Sequence, residues 1–220
     1  IVQRVKDPRI RVIRQANAGP EAARQRGLVG CETEFVARMD ADDLMAPNRL
    51  QTQVDFLRRH PDVGAVGGQI MFLSEDGKRF AFPSCWPLDH ESIAGRLLPR
   101  YSVVAMDGAL CNATLTCRRS VQQQVPPTAH GGAGADVGFI IGLSQVTRLA
   151  NVPEVVHYVR IHDSSIQSSP NWEDRAKRKV FAVECGRAAP EGRPPPVWEN
   201  FDAVWQRRGV LRRFNAWREI

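Results

Sequence analysis

Hydrophobic and polar positions fall into runs whose period changes along the chain. "IVQRVKDPRIRVI" predicts the end of a helix, a turn at Asp7-Pro8 and a short strand from Arg9 to Ile13. Asn17-Ala-Gly19-Pro20 predicts a second turn, after which Ala22, Ala23 and Leu28 line a short helix that stops near Gly30. "TEFVARMD" then predicts a buried strand. With Pro47 in a helical first turn, Leu50, Val54 and Leu57 recur on one helix face until His60-Pro61. "VGAVGGQIMFL" and "SEDGKRFAF", joined by the Asp76-Gly77 turn, predict a hairpin. Further on, helices are predicted over Ser92–Leu98 and Val137–Arg148, and strands over Ala113–Cys117 and in "EVVHYVRI". Strands and helices in this order predict an α/β sheet, in which ligands sit at the carboxyl ends of strands.

Composition narrows the class. The chain has 220 residues, 43% hydrophobic and 25% charged, which suits one folded domain with a small appendage and excludes a mainly disordered chain. No apolar run reaches the length of a membrane span and no charged-then-apolar leader opens the sequence, so a cytoplasmic protein is expected. Five cysteines without C-x-x-C spacing suggest reduced thiols rather than a disulfide framework or a zinc site. A net charge of +6 is compatible with nucleic acid, a membrane surface or an anionic substrate. From Asn171 onwards the chain holds four of its five tryptophans and eleven Lys/Arg against seven Asp/Glu. Helices packed on the domain or against a partner are expected there.

Three places carry candidate chemistry. The strand "TEFVARMD" runs directly into Asp40-Ala41-Asp42-Asp43, whose mutual repulsion costs free energy unless a cation, solvent or basic groups offset it. Carboxylates so placed suit Mg²⁺ or Mn²⁺ bridged to phosphates, and equally suit a solvated turn before a helix. Asp136, after a Gly-rich loop, is either a general base on an incoming hydroxyl or a helix N-cap. Arg160 and His162 alternate along a strand exit, where they face a diphosphate, a metal or solvent.

In this order the pieces resemble the family 2 glycosyltransferases of the GT-A fold, over about Asp7 to Ser169. "NAGPEAARQRGLVGCETEFVARMDADDLMAPNRLQTQVDFLRRHPDVGAVGGQI" is similar to that family's central segment, with its DxD loop. "NATLTCRRSV" resembles the strand before its acceptor loop, "GADVGFIIGLSQVTRL" its Glu-Asp helix, and "VVHYVRIHDSSIQSS" its Tyr-Arg-x-His end. The resemblance implies a Rossmann-like mixed sheet flanked by helices, truncated at its N-terminus and followed by a helical appendage, divided as 1–169 and 170–220. It implies a nucleotide-diphosphate sugar donor and a hydroxyl acceptor on a glycan, lipid-linked sugar or protein, in polysaccharide or cell-surface glycan synthesis. Asp40, Asp42, Arg24, Arg160 and His162 would meet the donor, Asp42 and Asp43 a divalent metal (Mn²⁺ or Mg²⁺), and Asp136 would be the base of an inverting displacement. Three departures stand out: the family's opening strand, helix and second strand are missing, Ala135 replaces the usual Glu, and Gln25 replaces Asn. The other readings are a catalytically silent GT-A-like binding protein and a basic nucleic-acid-binding module using the Arg-rich tail. The mixed charge of the tail favours no nucleic acid and makes it a candidate for peripheral contact with the inner face of a membrane.

Overall fold

The structure, a computed structural model, describes residues 5–80, 83–98, 109–125, 135–162, 172–188 and 191–207. The residues ahead of Val5, parts of the segments Phe82–Asp107 and Val125–Gly134, His130, the stretch 163–169 and the tail from 208 lie outside that set.

One mixed sheet organises the chain. Its strands are β1 (Phe35–Ala37), β2 (Leu44–Met45), β3 (Val63–Leu73), β4 (Arg79–Phe80), β5 (Thr116–Arg118) and β6 (Arg148–Arg160). They run in the order β1-β5-β3-β6-β2, with β4 paired to β3. β3 and β6 are parallel and every other pair is antiparallel. β1 and β2 are therefore the two ends of the path, and the acidic loop is the chain that joins them.

Helix α2 (Arg49–Arg59) closes one face, where Leu57 packs with Val63, Val66, Ala150, Val152 and Val156. Helices α3 (His90–Leu97) and α5 (Ala135–Val146) close the other, burying Ile93, Leu97, Phe139, Ile140 and Leu143 against Ala65, Leu115 and Leu149. α1 (Gly19–Val29) precedes β1, and the short α4 (Arg119–Gln122) follows β5. Helix α6 (Trp172–Ala188) adds Val183 to this second core. Gly186 permits the contact, since a Cβ there would stand 2.3 Å from Ile141 Cγ2. Phe181, Phe201 and Trp205 form a smaller cluster with α7 (Phe201–Arg207).

Several expectations shift. Arg9–Ile13 forms no strand: Ile10 N bonds Asp7 O in a turn, Arg11 reaches Gly30 O and Glu32, and Val12 and Ile13 stay exposed. No described strand pairs with the segment, so its apolar pattern has no sheet to join. The helix after the acidic loop starts at Arg49, not in the turn containing Pro47, because Ala46 N bonds Val156 O and holds the chain at the sheet edge. The stretch before β5 is a 3₁₀ turn at Asn112–Thr114, so the strand begins at Thr116 rather than Ala113. α5 ends at Val146 and β6 starts at Arg148, earlier than the expected Glu154. β6 absorbs Pro153 in a bulge between its pairings to Gly68 and Gln69, where no ladder hydrogen bond is lost.

The apolar face expected for α2 holds at Leu57 and half-buried Val54 and fails at Leu50. Leu50 is exposed, and the face that meets the sheet carries Arg49, Gln53 and Leu57, each at most 1% exposed.

A second polar insertion anchors the opposite core. Asn151 is buried in β6; its Nδ2 donates to Pro87 O at 2.7 Å and Ala109 O at 2.9 Å, and its backbone N donates to Leu88 O at 3.1 Å. Gly67 makes the room, since a Cβ there would lie 2.4 Å from Asn151 Oδ1 and 2.9 Å from Thr114 Oγ1. Gly67→Ala is expected to cost about 1–3 kcal/mol through overpacking, measured as a lower urea midpoint with unchanged slope.

Candidate functional site: the acidic loop and its buried support

A chain of hydrogen bonds runs from the core to the acidic loop. Gln53 Nε2 donates to the carbonyls of Val66, Gly67 and Thr114, while its Oε1 accepts from Thr116 Oγ1 at 2.7 Å and Arg49 Nε at 3.1 Å. Arg49 then donates through Nη2 to Arg38 O at 2.7 Å, and its Nη1 lies 3.2 Å from His157 Nδ1. His157 Nε2 in turn lies 2.8 Å from Asp43 Oδ2. A guanidinium only donates, so Nδ1 is the acceptor and the imidazole proton sits on Nε2, aimed at Asp43.

Asp43 is thereby fixed from two sides, because its Oδ1 accepts the Arg160 amide at 2.8 Å. Its side chain is 6% exposed, and both oxygens are engaged by the protein. Asp42 faces outward: its side chain is 53% exposed, and Oδ2 lies 3.0 Å from His162 Nε2. The structure brings Asp42, Asp43, Arg160 and His162 together. The Arg160 guanidinium is occupied by main chain, with Nε on Asp42 O at 3.0 Å and Nη1 on Glu75 O at 2.9 Å. It clasps the acidic loop to the tip of the β3–β4 hairpin.

Arg24 and Asp136 lie on helices α1 and α5. Arg24, on α1, is ion-paired with Glu21, and its Nε is buried without a hydrogen-bond partner among the described residues. It lies within electrostatic reach of Asp40. Asp136 stands exposed in the first turn of α5, with Oδ1 accepting the Val137 amide at 2.9 Å.

The carboxylates are not equivalent. The His162 hydrogen bond holds the Asp42 carboxyl below the usual range. Partial burial first, and then the charges of Asp43 and Asp42, push the Asp40 carboxyl up. Burial also pulls the Arg38 and Arg49 guanidiniums down to about 10 and raises the nearby Cys111 thiol to about 11. With a raised native pKa, the folded chain binds more protons than the unfolded one just above the ordinary value of 3.8. Ionised Asp40 therefore costs stability, and the cost disappears as pH falls through that window. Asp40→Asn is expected to raise the melting temperature at neutral pH, with the gain vanishing below the ordinary carboxylate value.

The sequence offered signals for the support that reading by apolar spacing missed. Arg49, Gln53 and Leu57 follow one another at i, i+4 and i+8, which places two polar residues on the face of a core leucine. His157 interrupts the run from Val155 to Val159, which holds no other ionisable side chain but Tyr158.

The comparisons agree with this architecture. The model of a family described as Glycosyl transferase family 2 matches residues 1–104. An uncharacterized glycosyltransferase of Haemophilus influenzae is 43% identical over 54 residues, covering 24% of this chain and 20% of that protein. The amylovoran biosynthesis glycosyltransferase AmsE of Erwinia amylovora is 35% identical over 71 residues, covering 32% of this chain and 27% of the relative. Among solved structures, S. aureus TarS 1–349 in complex with UDP-GlcNAc superposes with a TM-score of 0.53 at 17% identity, over 79% of this chain and 48% of TarS. In each of these matches this chain spans less than half of its counterpart. The mixed sheet and its flanking helices form a GT-A fold, and residues 1–104 are similar to glycosyl transferase family 2.

Proposed function

We propose that this chain transfers a sugar from a nucleoside-diphosphate donor to a hydroxyl acceptor, with inversion and with the help of a divalent cation. The observation that carries the reading is the acidic loop itself: an exposed Asp42 beside His162, on a backbone fixed by the buried Asp43–His157–Arg49 chain. Carboxylate oxygens and an imidazole nitrogen suit Mn²⁺ or Mg²⁺, whose remaining positions are commonly filled by substrate phosphates and water. Asp42 and His162 would hold the cation, and Asp43 shapes the loop that presents them. When bound, the cation supplies neutralisation of the charge that grows on the departing diphosphate.

The other residues divide the remaining work. Arg24, from α1, adds positive charge on the donor side, and Arg160 keeps the loop and the hairpin tip together. Asp136 accepts the proton of the attacking hydroxyl, approaching from the α5 side of the site. The relative AmsE, named for amylovoran biosynthesis, supports a biosynthetic glycan as the destination of the sugar. A nucleic-acid role gains no support from the described C-terminal region, where Lys177, Arg178, Arg187 and Arg193 are paired with Asp202, Asp174 and Glu184. No described helix is long and apolar enough to cross a membrane.

The test is thermal stabilisation of the chain by Mn²⁺ with UDP, GDP, ADP or dTDP, alongside Asp42→Ala. A ligand that binds only the native state raises the melting temperature by mass action. One nucleotide is expected to do so, only with the metal, and Asp42→Ala is expected to abolish the rise. A folded chain that no nucleotide stabilises would overturn the donor site.

A further inference from the structure

Arg38 stands two residues before Asp40, and the chemistry above leaves its side chain unused. Its backbone is fixed at both ends: N donates to Leu115 O at 2.8 Å and O accepts from Arg49 Nη2 at 2.7 Å. The side chain reaches Asn112 and helix α5. Its guanidinium carbon lies 3.6 Å from the centre of the Phe139 ring on α5, and Nη1 donates to Asn112 Oδ1 at 2.6 Å. Among the described residues no carboxylate forms an ion pair with it, although Glu21 and Asp136 act on it at longer range and Arg24 opposes them.

That environment is costly for a cation. A half-buried guanidinium set against an amide and a ring loses hydration that neither fully replaces. A methionine would fill similar space without that cost. The return is placement: a cation over an aromatic face is held by the ring's quadrupole, and the planar fork lets the same group reach Asn112. Phe139 is three residues beyond Asp136, so the two share one side of the first turns of α5.

We propose that Arg38 is a positioning residue that sets where the first turn of α5, and with it Asp136, stands relative to the acidic loop. The meaning of Asp136 rests on the proposed function, whereas the placement of α5 does not. β1 thus delivers the acidic loop from its end and, through the residue next to that end, locates the helix across from it.

The experiment compares the full chain with Arg38→Met, Arg38→Lys and Asn112→Ala by amide hydrogen exchange, following peptides from α5 and α2, with the UDP–Mn²⁺ melting shift recorded in parallel. Arg38→Met is expected to speed exchange across residues 135–140 by about tenfold or more while α2 stays at the parental rate. Arg38→Lys, which keeps a cation over Phe139, is expected to restore most of the protection. Packing alone predicts that Met serves at least as well as Lys, and that result would overturn the proposal, as would parental exchange in Arg38→Met. If Arg38→Met does not fold, Asn112→Ala reads the same contact from the other side: faster exchange confined to 135–140 supports the proposal and an unchanged rate overturns it. Absence of a Mn²⁺-dependent shift with UDP, GDP, ADP and dTDP alike in the parent chain would count against the donor site alone, since the exchange contrast is read without ligand.

Discussion

Arg49→Met is expected to lower the free energy of unfolding by about 2–4 kcal/mol, read as a fall in the urea midpoint at unchanged slope. The substitution keeps much of the volume and removes a buried charge, which by itself is favourable. It also strands the groups that the guanidinium satisfies. His157 Nδ1 and Arg38 O lose the contacts at 3.2 and 2.7 Å, and Gln53 Oε1 keeps only Thr116. Each buried acceptor left unpaired costs about 1–3 kcal/mol, so the stranded groups outweigh the relief of the charge. Arg49→Lys is expected to fall nearly as far, because an ammonium cannot span acceptors arranged for a planar fork. A parental midpoint in the Met variant would show that these bonds do no more than offset the burial of the cation.

Asp43→Asn comes next in size, despite being nearly isosteric. Both neighbours of the carboxylate are donors: the Arg160 amide at Oδ1 and His157 Nε2–H at Oδ2. An amide group can satisfy one and must turn its NH₂ on the other. His157 cannot escape by switching tautomer, because a proton on Nδ1 would face the Arg49 guanidinium 3.2 Å away. The expected cost is about 1–3 kcal/mol from the opposed donors. On the proposed function, the loop that presents Asp42 also loses its shape, so the Mn²⁺–nucleotide melting shift should shrink sharply in a chain that still unfolds cooperatively. A full shift in Asp43→Asn would separate loop geometry from donor binding.

What the sequence revealed followed from period and punctuation. The Asp-Gly turn, the strand ending at the acidic loop and the helix stopping at His60 are local, and each was readable from a few adjacent residues. The pairing of Asp42 with His162 was foreshadowed by the alternation of Arg160 and His162 at a strand exit. The support beneath them was not, because Arg49, Gln53 and His157 gain their meaning from partners on other strands. Apolar spacing pointed to Leu50, a residue that faces solvent, since a helix resting on a polar network has no purely apolar stripe. Arg9–Ile13 failed for the opposite reason: a good local strand pattern needs a partner strand, and none of the described ones is beside it.

Asn151 has a consequence of its own. By holding Pro87 O and Ala109 O with one amide, it ties off the chain between them much as a cross-link would, from a strand that belongs to the sheet. The described part of the intervening stretch contributes Ile93 and Leu97 to the core, and its Leu88, His90 and Glu91 bond to β6 as well. Exchanges between the two anchors that spare these contacts are therefore expected to leave the sheet folded, because the stretch is held at its ends by a strand that does not depend on it.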